Sequence, residues 1–123
     1  MAVRIFLAAM TIVWLPYGLY CFLDPNALRA LAGVVATTPT AMTELRAMYG
    51  GLQSAIGGLT FAATVRPRLE RPALVMLATL LPGLASARLL GLVLDCSWSF
   101  YTAMGLAFEI TCSLVTIALL RGR

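Results

Sequence analysis

The sequence contains no histidine, and only 11% of its residues are charged. Without histidine the chain lacks the usual ligands of haem iron, zinc and copper, and it lacks the common general base near neutral pH. A water-soluble globular protein carries roughly 25% charged residues. The low charge therefore argues against a soluble domain, and the residue content predicts neither a metal nor a cofactor.

Motifs for catalysis are also scarce. The chain has no glycine-rich phosphate loop and no dinucleotide-binding fingerprint, and its three cysteines form no Cys-x-x-Cys pair. These gaps favour a non-enzymatic protein, although an enzymatic role stays open. The nine basic residues exceed the five acidic ones. They stand at the ends of apolar runs, a pattern typical of membrane proteins rather than of nucleic-acid-binding proteins.

Apolar residues dominate the composition, at 61% of the chain with a mean hydropathy of +0.92. Four continuous apolar runs lie at approximately 5–23, 44–65, 73–94 and 99–120. Each approaches the roughly 20 residues with which a helix crosses the hydrocarbon core. Continuous runs favour helices over the alternating strands of a barrel. We predict an all-α fold, a four-transmembrane-helix bundle that forms a single integral membrane domain over residues 1–123.

The breaks between the runs carry turn signals. Asp24-Pro25 ends the first run, Asp95-Cys96-Ser97 separates the third from the fourth, and Arg66-Pro67 and Arg71-Pro72 bracket a short turn. The longest connection follows the first run, where Asp24 can cap a helix that begins at Pro25. Apolar residues then recur at helical spacing, at Leu28, Leu31, Val34 and Val35. We expect residues 25–35 to form a short interfacial helix on the outer membrane surface; an irregular apolar loop is the alternative.

The distribution of arginines predicts the orientation of the bundle. The first run lacks a small-x-small cleavage site before Asp24, so we expect it to be retained as a span rather than removed as a signal peptide. On the side of the termini the sequence has six arginines: Arg4, Arg66, Arg68, Arg71, Arg121 and Arg123. The opposite loops hold only Arg29, with Arg46 just inside a span. The positive-inside rule then predicts cytoplasmic termini in a bacterial inner membrane.

Small residues recur on the second predicted span. Gly50, Ser54 and Gly58 form one ridge with a spacing of four residues, and Gly51 lies on a second such ridge between Ala47 and Ala55. Small residues allow the backbones of membrane helices to approach closely. We predict intramolecular helix packing through Gly50, Gly51, Ser54 and Gly58, with homodimerisation as the alternative.

Ionisable and polar residues enter the spans from the outer side. They are Glu44, Arg46, Tyr49 and Gln53 on the second span, Arg88 and Asp95 on the third, and Glu109 on the fourth. Charges in a membrane are usually paired or line a wet cavity, so we predict one outward-facing polar pocket in which Arg88 reaches Glu44, Asp95 or Glu109. Snorkelling to the headgroups is the alternative for the shallower residues.

Glu109 lies about ten residues into the fourth span and is too short to snorkel. We expect it to be the residue most closely tied to function. It should be ionised if Arg88 or Arg46 reaches it, and neutral if neither does.

Two cysteines share the depth of the outer surface. Cys21 ends the first run and Cys96 follows the third. The outer side of a bacterial inner membrane is oxidising, so a Cys21–Cys96 disulfide is conceivable. Such a bond requires a Cα separation of under about 7 Å, and free thiols are the alternative.

The string Glu44-x-Arg-Ala-x-Tyr-Gly-Gly51, together with Gly58, Arg88, Asp95 and Glu109, resembles the pattern of a bacterial membrane family, the domain of unknown function 4345. The resemblance covers essentially the whole chain and implies a four-helix membrane protein. The family is grouped loosely with DoxX-like proteins. It more often has glycine after the aspartate that ends the third span, where this chain has Cys96, so the resemblance predicts a different local loop.

These features leave three functional hypotheses. The first is binding or transport of a small amphipathic or anionic molecule, or of a lipid, by the polar pocket. The second, implied by the DoxX-like resemblance, is an accessory subunit of a membrane redox enzyme. The third is a structural membrane partner, as a homo-oligomer or within a larger assembly. The lipid bilayer is the one partner that all three share, and nucleic acid is not expected.

Overall fold

The protein is all-helical over residues 1–122, the range that the computed structural model describes. In chain order it contains α1 (Ala2–Leu23), α2 (Ala27–Ala32), α3 (Pro39–Leu45), a π-helix (Arg46–Gly51), α4 (Leu52–Val65), a 3-10 helix (Pro67–Leu69), α5 (Glu70–Leu94) and α6 (Phe100–Arg121). The prediction of an all-α protein is confirmed for these residues. Arg123, which the orientation argument counts, lies outside them.

Within residues 1–122, three segments are long and apolar enough to cross a membrane: Ala2–Leu23, Pro67–Leu94 and Phe100–Arg121. They match the first, third and fourth predicted spans to within a few residues. The break predicted at Asp95-Cys96-Ser97 is also confirmed, because it separates α5 from α6. The chain divides into two compact units, unit 1 (Met1–Glu70) and unit 2, which begins at Arg71, and each is described by itself.

The second predicted span differs in both its start and its regularity. Helical structure begins at Pro39 rather than at residue 44, because the Thr38 hydroxyl accepts the Ala41 N–H at 3.1 Å and proline suits the first helical position. α3 runs directly into the π-helix, where the Leu52 N–H bonds to the Ala47 carbonyl, and then into α4. This stretch is a series of three short helices, and it is not among the long apolar helices named above.

The connecting helix α2 is shorter than the predicted 25–35. It covers Ala27–Ala32 and ends at Gly33, whose φ of 70° is a left-handed conformation that glycine adopts without strain. Asp24 does not cap the helix, since its carboxylate accepts the Asn26 N–H at 3.2 Å. Pro25 precedes the helix and is buried. The predicted helix therefore exists, but the predicted positions of its start and its end were wrong.

The turn before α5 is shorter than the two arginine-proline pairs predict. Arg66-Pro67 marks its start as expected, and the 3-10 helix follows at once. Pro72 does not end the turn, because α5 already begins at Glu70. Proline is tolerated in the first turn of a helix, where its missing N–H would have no intrahelical partner.

In unit 1, α1 packs against α4 and the π-helix in an antiparallel arrangement. Gly18 faces Ser54, Leu15 faces Gly57 and Phe22 faces Gly50. Nearer the start of α1, the hydroxyl oxygens of Thr11 and Thr60 are 3.0 Å apart. These contacts are close: a Cβ added to Gly57 would lie 2.5 Å from the Leu15 nitrogen, and one added to Gly18 would lie 2.5 Å from the Ser54 nitrogen. Glycine is needed there because the backbones nearly touch.

Two of the four predicted packing residues are therefore in the contact, Gly50 and Ser54. Gly51 and Gly58 are not, because a Cβ at Gly58 would meet nothing within 4 Å and one at Gly51 would meet only the Arg46 carbonyl oxygen at 3.8 Å. The ridge turns out to continue from Ser54 to Gly57 rather than to Gly58. On a helix with 3.6 residues per turn, alternating steps of four and three stay on one face, whereas repeated steps of four drift away from it.

The loop between α5 and α6 contains one strained residue. Cys96 has a φ of 46°, in the left-handed region that disfavours residues with a Cβ. Its thiol lies 3.7 Å from the Val93 carbonyl oxygen. Glycine adopts the same backbone conformation without strain. The loop thus keeps a backbone that suits glycine while carrying cysteine.

Replacing Cys96 with glycine is expected to stabilise the protein by about 1 kcal/mol, since it removes the left-handed strain at a partial cost in unfolded-chain entropy. Thermal unfolding of the purified protein in a mild detergent would measure the change. Cys96→Ala is the matched control, because it removes the sulfur but retains the Cβ and should leave stability nearly unchanged. A C96G variant no more stable than C96A would contradict the strain argument.

Candidate functional site

Arg88 and Glu109 form an ion pair between α5 and α6 within unit 2. The Arg88 Nη2 lies 2.6 Å from Glu109 Oε1, and the Arg88 Nε donates to Glu109 Oε2 at 3.0 Å. The two parallel contacts match the fork of a guanidinium to the two oxygens of a carboxylate. Arg88 was expected to reach Glu44, Asp95 or Glu109, and this expectation is confirmed with Glu109 as the partner.

Gly105 provides the space in which the Arg88 guanidinium lies. A Cβ added to Gly105 would be 3.0 Å from Arg88 Cζ and 3.2 Å from both Nε and Nη2. Gly105 stands one turn before Glu109 on α6, so the guanidinium rests on the backbone of the helix that carries its carboxylate partner. Sequence reasoning assigned no role to Gly105.

The burial of the pair is unequal. The Glu109 side chain is 5% exposed, whereas the Arg88 side chain is 27% exposed. The carboxylate is therefore enclosed, and part of the longer cationic side chain remains accessible. An enclosed carboxylate is compatible with a low-dielectric surrounding because the guanidinium compensates its charge.

Glu109, Ser113 and Thr116 form a polar stripe on α6, and all three are buried. The two hydroxyl groups of this stripe bond to the backbone of their own helix. The Ser113 hydroxyl donates to the Glu109 carbonyl at 2.6 Å, and the Thr116 hydroxyl donates to the Cys112 carbonyl at 2.6 Å. Such bonds satisfy a hydroxyl without a partner on another helix. Among the residues of this stripe, Glu109 is the one whose side chain makes a charged contact with α5.

A shallow apolar groove lies beside the pair in unit 2. Its volume is about 230 Å³, and its walls come from α5 and α6: Pro82, Ala85, Ser86, Leu89, Ile110, Ser113 and Leu114. Neither Arg88 nor Glu109 lines it. Leu89 and Ile110 directly follow Arg88 and Glu109 in the chain, and Ala85 and Ser113 each stand one helical turn from a member of the pair.

The remaining predicted site residues have other surroundings. Asp95 follows the last residue of α5 and is exposed, as is Glu44 on α3. Tyr49 and Gln53 are partly exposed. Arg46 donates from Nη1 to the Phe22 carbonyl oxygen at 2.8 Å. That carbonyl belongs to the last turn of α1, where carbonyls lack intrahelical partners and a cation is favourable. Arg46 therefore secures the end of α1.

One ion pair was missed by the sequence reasoning. Arg4 Nε donates to Glu70 Oε1 at 2.9 Å in unit 1, and the Glu70 side chain is 8% exposed against 53% for Arg4. Glu70 was overlooked because it stands in an arginine-rich turn between two runs, where an acid has no obvious partner. Its place in the first turn of α5 was the available signal, since acids favour helix N-termini.

The cysteines form no disulfide in this structure. Cys21, Cys96 and Cys112 carry free thiols, with Cys21 and Cys112 buried and Cys96 exposed. The Cys21 side chain is fully enclosed, at 0% exposure, and its depth relative to Cys96 stays a prediction. Among residues 1–122 there is also no cluster of three or more cysteine, aspartate or glutamate side chains that could hold a metal ion.

The helices and the interhelical ion pair define the class: over residues 1–122, an all-helical protein with three helices suited to spanning a membrane, two of them joined by the Arg88–Glu109 pair. The chain belongs to the family of the domain of unknown function DUF4345, whose model matches residues 2–120. No curated protein and no solved structure gives a significant match to it. Membership confirms the resemblance in the sequence, whereas the grouping with DoxX-like proteins stays a prediction.

Proposed function

We propose that the chain crosses the membrane four times, with the stretch from Pro39 to Val65 as the second span. At about 1.5 Å per residue this stretch is long enough, and its antiparallel packing on α1 supports the assignment. In this arrangement α2 lies at the outer surface and both termini are cytoplasmic. A phosphatase reporter, active only after export, should be inactive when fused at the C-terminus and active in the α5–α6 loop. The reverse pattern would overturn the orientation.

We further propose that the protein binds a small anionic amphipathic molecule at Arg88. The observation that carries this proposal is the ion pair itself, in which an enclosed carboxylate orients a guanidinium that remains 27% exposed. Charged residues inside membrane helices are costly and are usually retained for function. A guanidinium is also well suited to carboxylate and phosphate groups, because its donors form a planar fork.

The apolar groove supports an amphipathic rather than a purely ionic ligand. Its lining starts at Leu89 and Ile110, next to the pair in the chain, and reaches Pro82 and Leu114. A molecule whose acidic group contacts Arg88 could therefore extend an apolar chain in that direction. The proposal concerns residues of unit 2 alone. The wider pocket with Glu44, Arg46, Tyr49, Gln53 and Asp95 stays a prediction, and the contact of Arg46 with α1 favours a packing role for that residue.

Binding of laurate to the purified protein, with the uncharged alcohol dodecanol as the comparison, tests the proposal. Titration calorimetry in a non-ionic detergent should give tighter binding of laurate than of dodecanol. Glu109→Gln should tighten laurate binding about tenfold, because Arg88 loses the carboxylate that competes for its donors. The double variant R88L/E109L should bind laurate no better than dodecanol.

The matched control is Arg29→Leu, which removes an exposed arginine of α2 and should leave laurate binding unchanged. Equal affinity of the wild type, E109Q and R88L/E109L for laurate would mean that the fatty acid only partitions into the detergent. That result would overturn the binding proposal and leave the ion pair as a purely structural contact between α5 and α6.

A further inference from the structure

The end of unit 1 at which α1 begins carries several arginines. The antiparallel packing of α1 on α4 brings the first turn of α1 next to the end of α4, and the contact of Arg4 with Glu70 is the last in that series. Arg66 ends α4 in an extended conformation, and Arg68 lies in the 3-10 helix that follows. Arg4, Arg66 and Arg68 thus belong to one end of unit 1, here called the arginine end.

The charge of the arginine end is not balanced by acids. Glu70 is the only acidic residue near it in unit 1, and its carboxylate is enclosed and bonded to Arg4. The other two acids of unit 1, Asp24 and Glu44, follow α1 and precede α4, so they belong to the opposite end. Arg66 and Arg68 are both exposed. Within unit 1, this end therefore presents two exposed cations with no acidic partner beside a third that is partly neutralised.

We infer that the arginine end binds the phosphate headgroups of anionic phospholipids. The inference rests on the proposed spans, in which this end lies at the membrane surface. Phosphates accept the planar donors of arginine, and an uncompensated cluster near the surface attracts anionic lipids over zwitterionic ones. Pro67, between Arg66 and Arg68, restricts the backbone that carries the two cations, so less backbone freedom is lost when both bind.

Because Arg4 is bonded to Glu70, we expect some substitutions at this end to strengthen the binding of anionic lipids and others to weaken it. Neutralising Glu70 should release Arg4 for lipid phosphates, whereas neutralising Arg66 and Arg68 should remove the principal contacts. The variants are E70Q and the double variant R66Q/R68Q. The control is Glu44→Gln, which adds the same unit of charge at the opposite end of the unit.

The experiment is native mass spectrometry of protein extracted from liposomes of equal parts phosphatidylglycerol and phosphatidylcholine, with the ratio of retained lipids as the readout. The wild type should retain mainly phosphatidylglycerol. R66Q/R68Q should reduce that preference about tenfold, E70Q should increase it about threefold, and E44Q should leave it unchanged. Raised salt should weaken the preference in the wild type.

Three results would overturn the inference: an unchanged preference in R66Q/R68Q, an E44Q effect as large as that of E70Q, or no preference in the wild type. The first would leave the arginines with an effect on topology alone, and the second would show a general effect of net charge. Because R66Q/R68Q alters exposed residues, its result stands even if E70Q is poorly folded. Failure of the proposed spans would be seen separately, in the reporter fusions.

Discussion

Replacing either Arg88 or Glu109 alone with leucine is expected to lower the free energy of unfolding by about 3–5 kcal/mol, while replacing both should cost far less. Each single variant leaves a charge in the interior without its partner. The effect should be larger for Arg88→Leu, because the Glu109 side chain that it leaves behind is only 5% exposed, whereas Arg88 retains 27% exposure. R88L/E109L replaces the pair with apolar side chains that pack in the same space.

Equilibrium unfolding of the protein in mixed micelles, from mild detergent to dodecyl sulfate, measures these changes, and the coupling between the two sites follows from the double-mutant cycle. Arg71→Leu is the matched control, since Arg71 is exposed and its loss should change stability by no more than about 0.5 kcal/mol. Additive effects of the two single substitutions would mean that Arg88 and Glu109 do not act as a pair.

The existence of this pair could be predicted from the sequence, but its geometry could not. Glu109 is too deep in an apolar run to reach water, and few acids stand at a depth that Arg88 could share, so a partnership was the physically reasonable expectation. The choice among Glu44, Asp95 and Glu109 depended on the packing of separate helices. The role of Gly105 depended on this packing even more, because the space that Gly105 leaves for the Arg88 guanidinium is formed between two helices.

The long apolar helices were predicted well because composition and length decide them almost alone. The stretch from Pro39 to Val65 was predicted poorly because a π-helix interrupts its α-helical hydrogen bonding. The spacing of hydrophobic residues does not predict a π-helix. The string Glu44 to Gly51, which carries the most specific family resemblance, covers this π-helix. Within it, Arg46 bonds to the Phe22 carbonyl and Gly50 lies against the same residue.

Two members of this string, Arg46 and Gly50, contact the end of α1, while the ligand pocket predicted to include Glu44, Arg46 and Tyr49 stays a prediction. A charged residue in a predicted membrane span suggests a binding site. From the sequence alone, an arginine that binds a ligand looks the same as an arginine that bonds to the carbonyls at a helix end. The distinction requires the position of the Phe22 carbonyl. The contacts that the string makes join α1 to the helices that follow it.

The adjacent glycines Gly57 and Gly58 should respond to alanine in opposite directions. A Cβ at Gly57 would lie 2.5 Å from the Leu15 nitrogen and 2.7 Å from its Cα, which are backbone atoms that cannot move without shifting α1. Overpacking of this kind costs about 1–3 kcal/mol or more, beyond the 0.5–1 kcal/mol that alanine gains over glycine in a helix. A Cβ at Gly58 would meet nothing within 4 Å, so only the gain should remain.

We therefore expect Gly57→Ala to destabilise the protein by about 1–2 kcal/mol and Gly58→Ala to stabilise it by about 0.5–1 kcal/mol. The same unfolding assay compares the two variants, and each is the other's control because both add one methyl group to the same helix. Gly50→Ala and Gly51→Ala repeat the comparison in the π-helix, where only Gly50 lies against Phe22. If G57A and G58A changed stability equally, the close approach of α1 and α4 at Leu15 would be refuted.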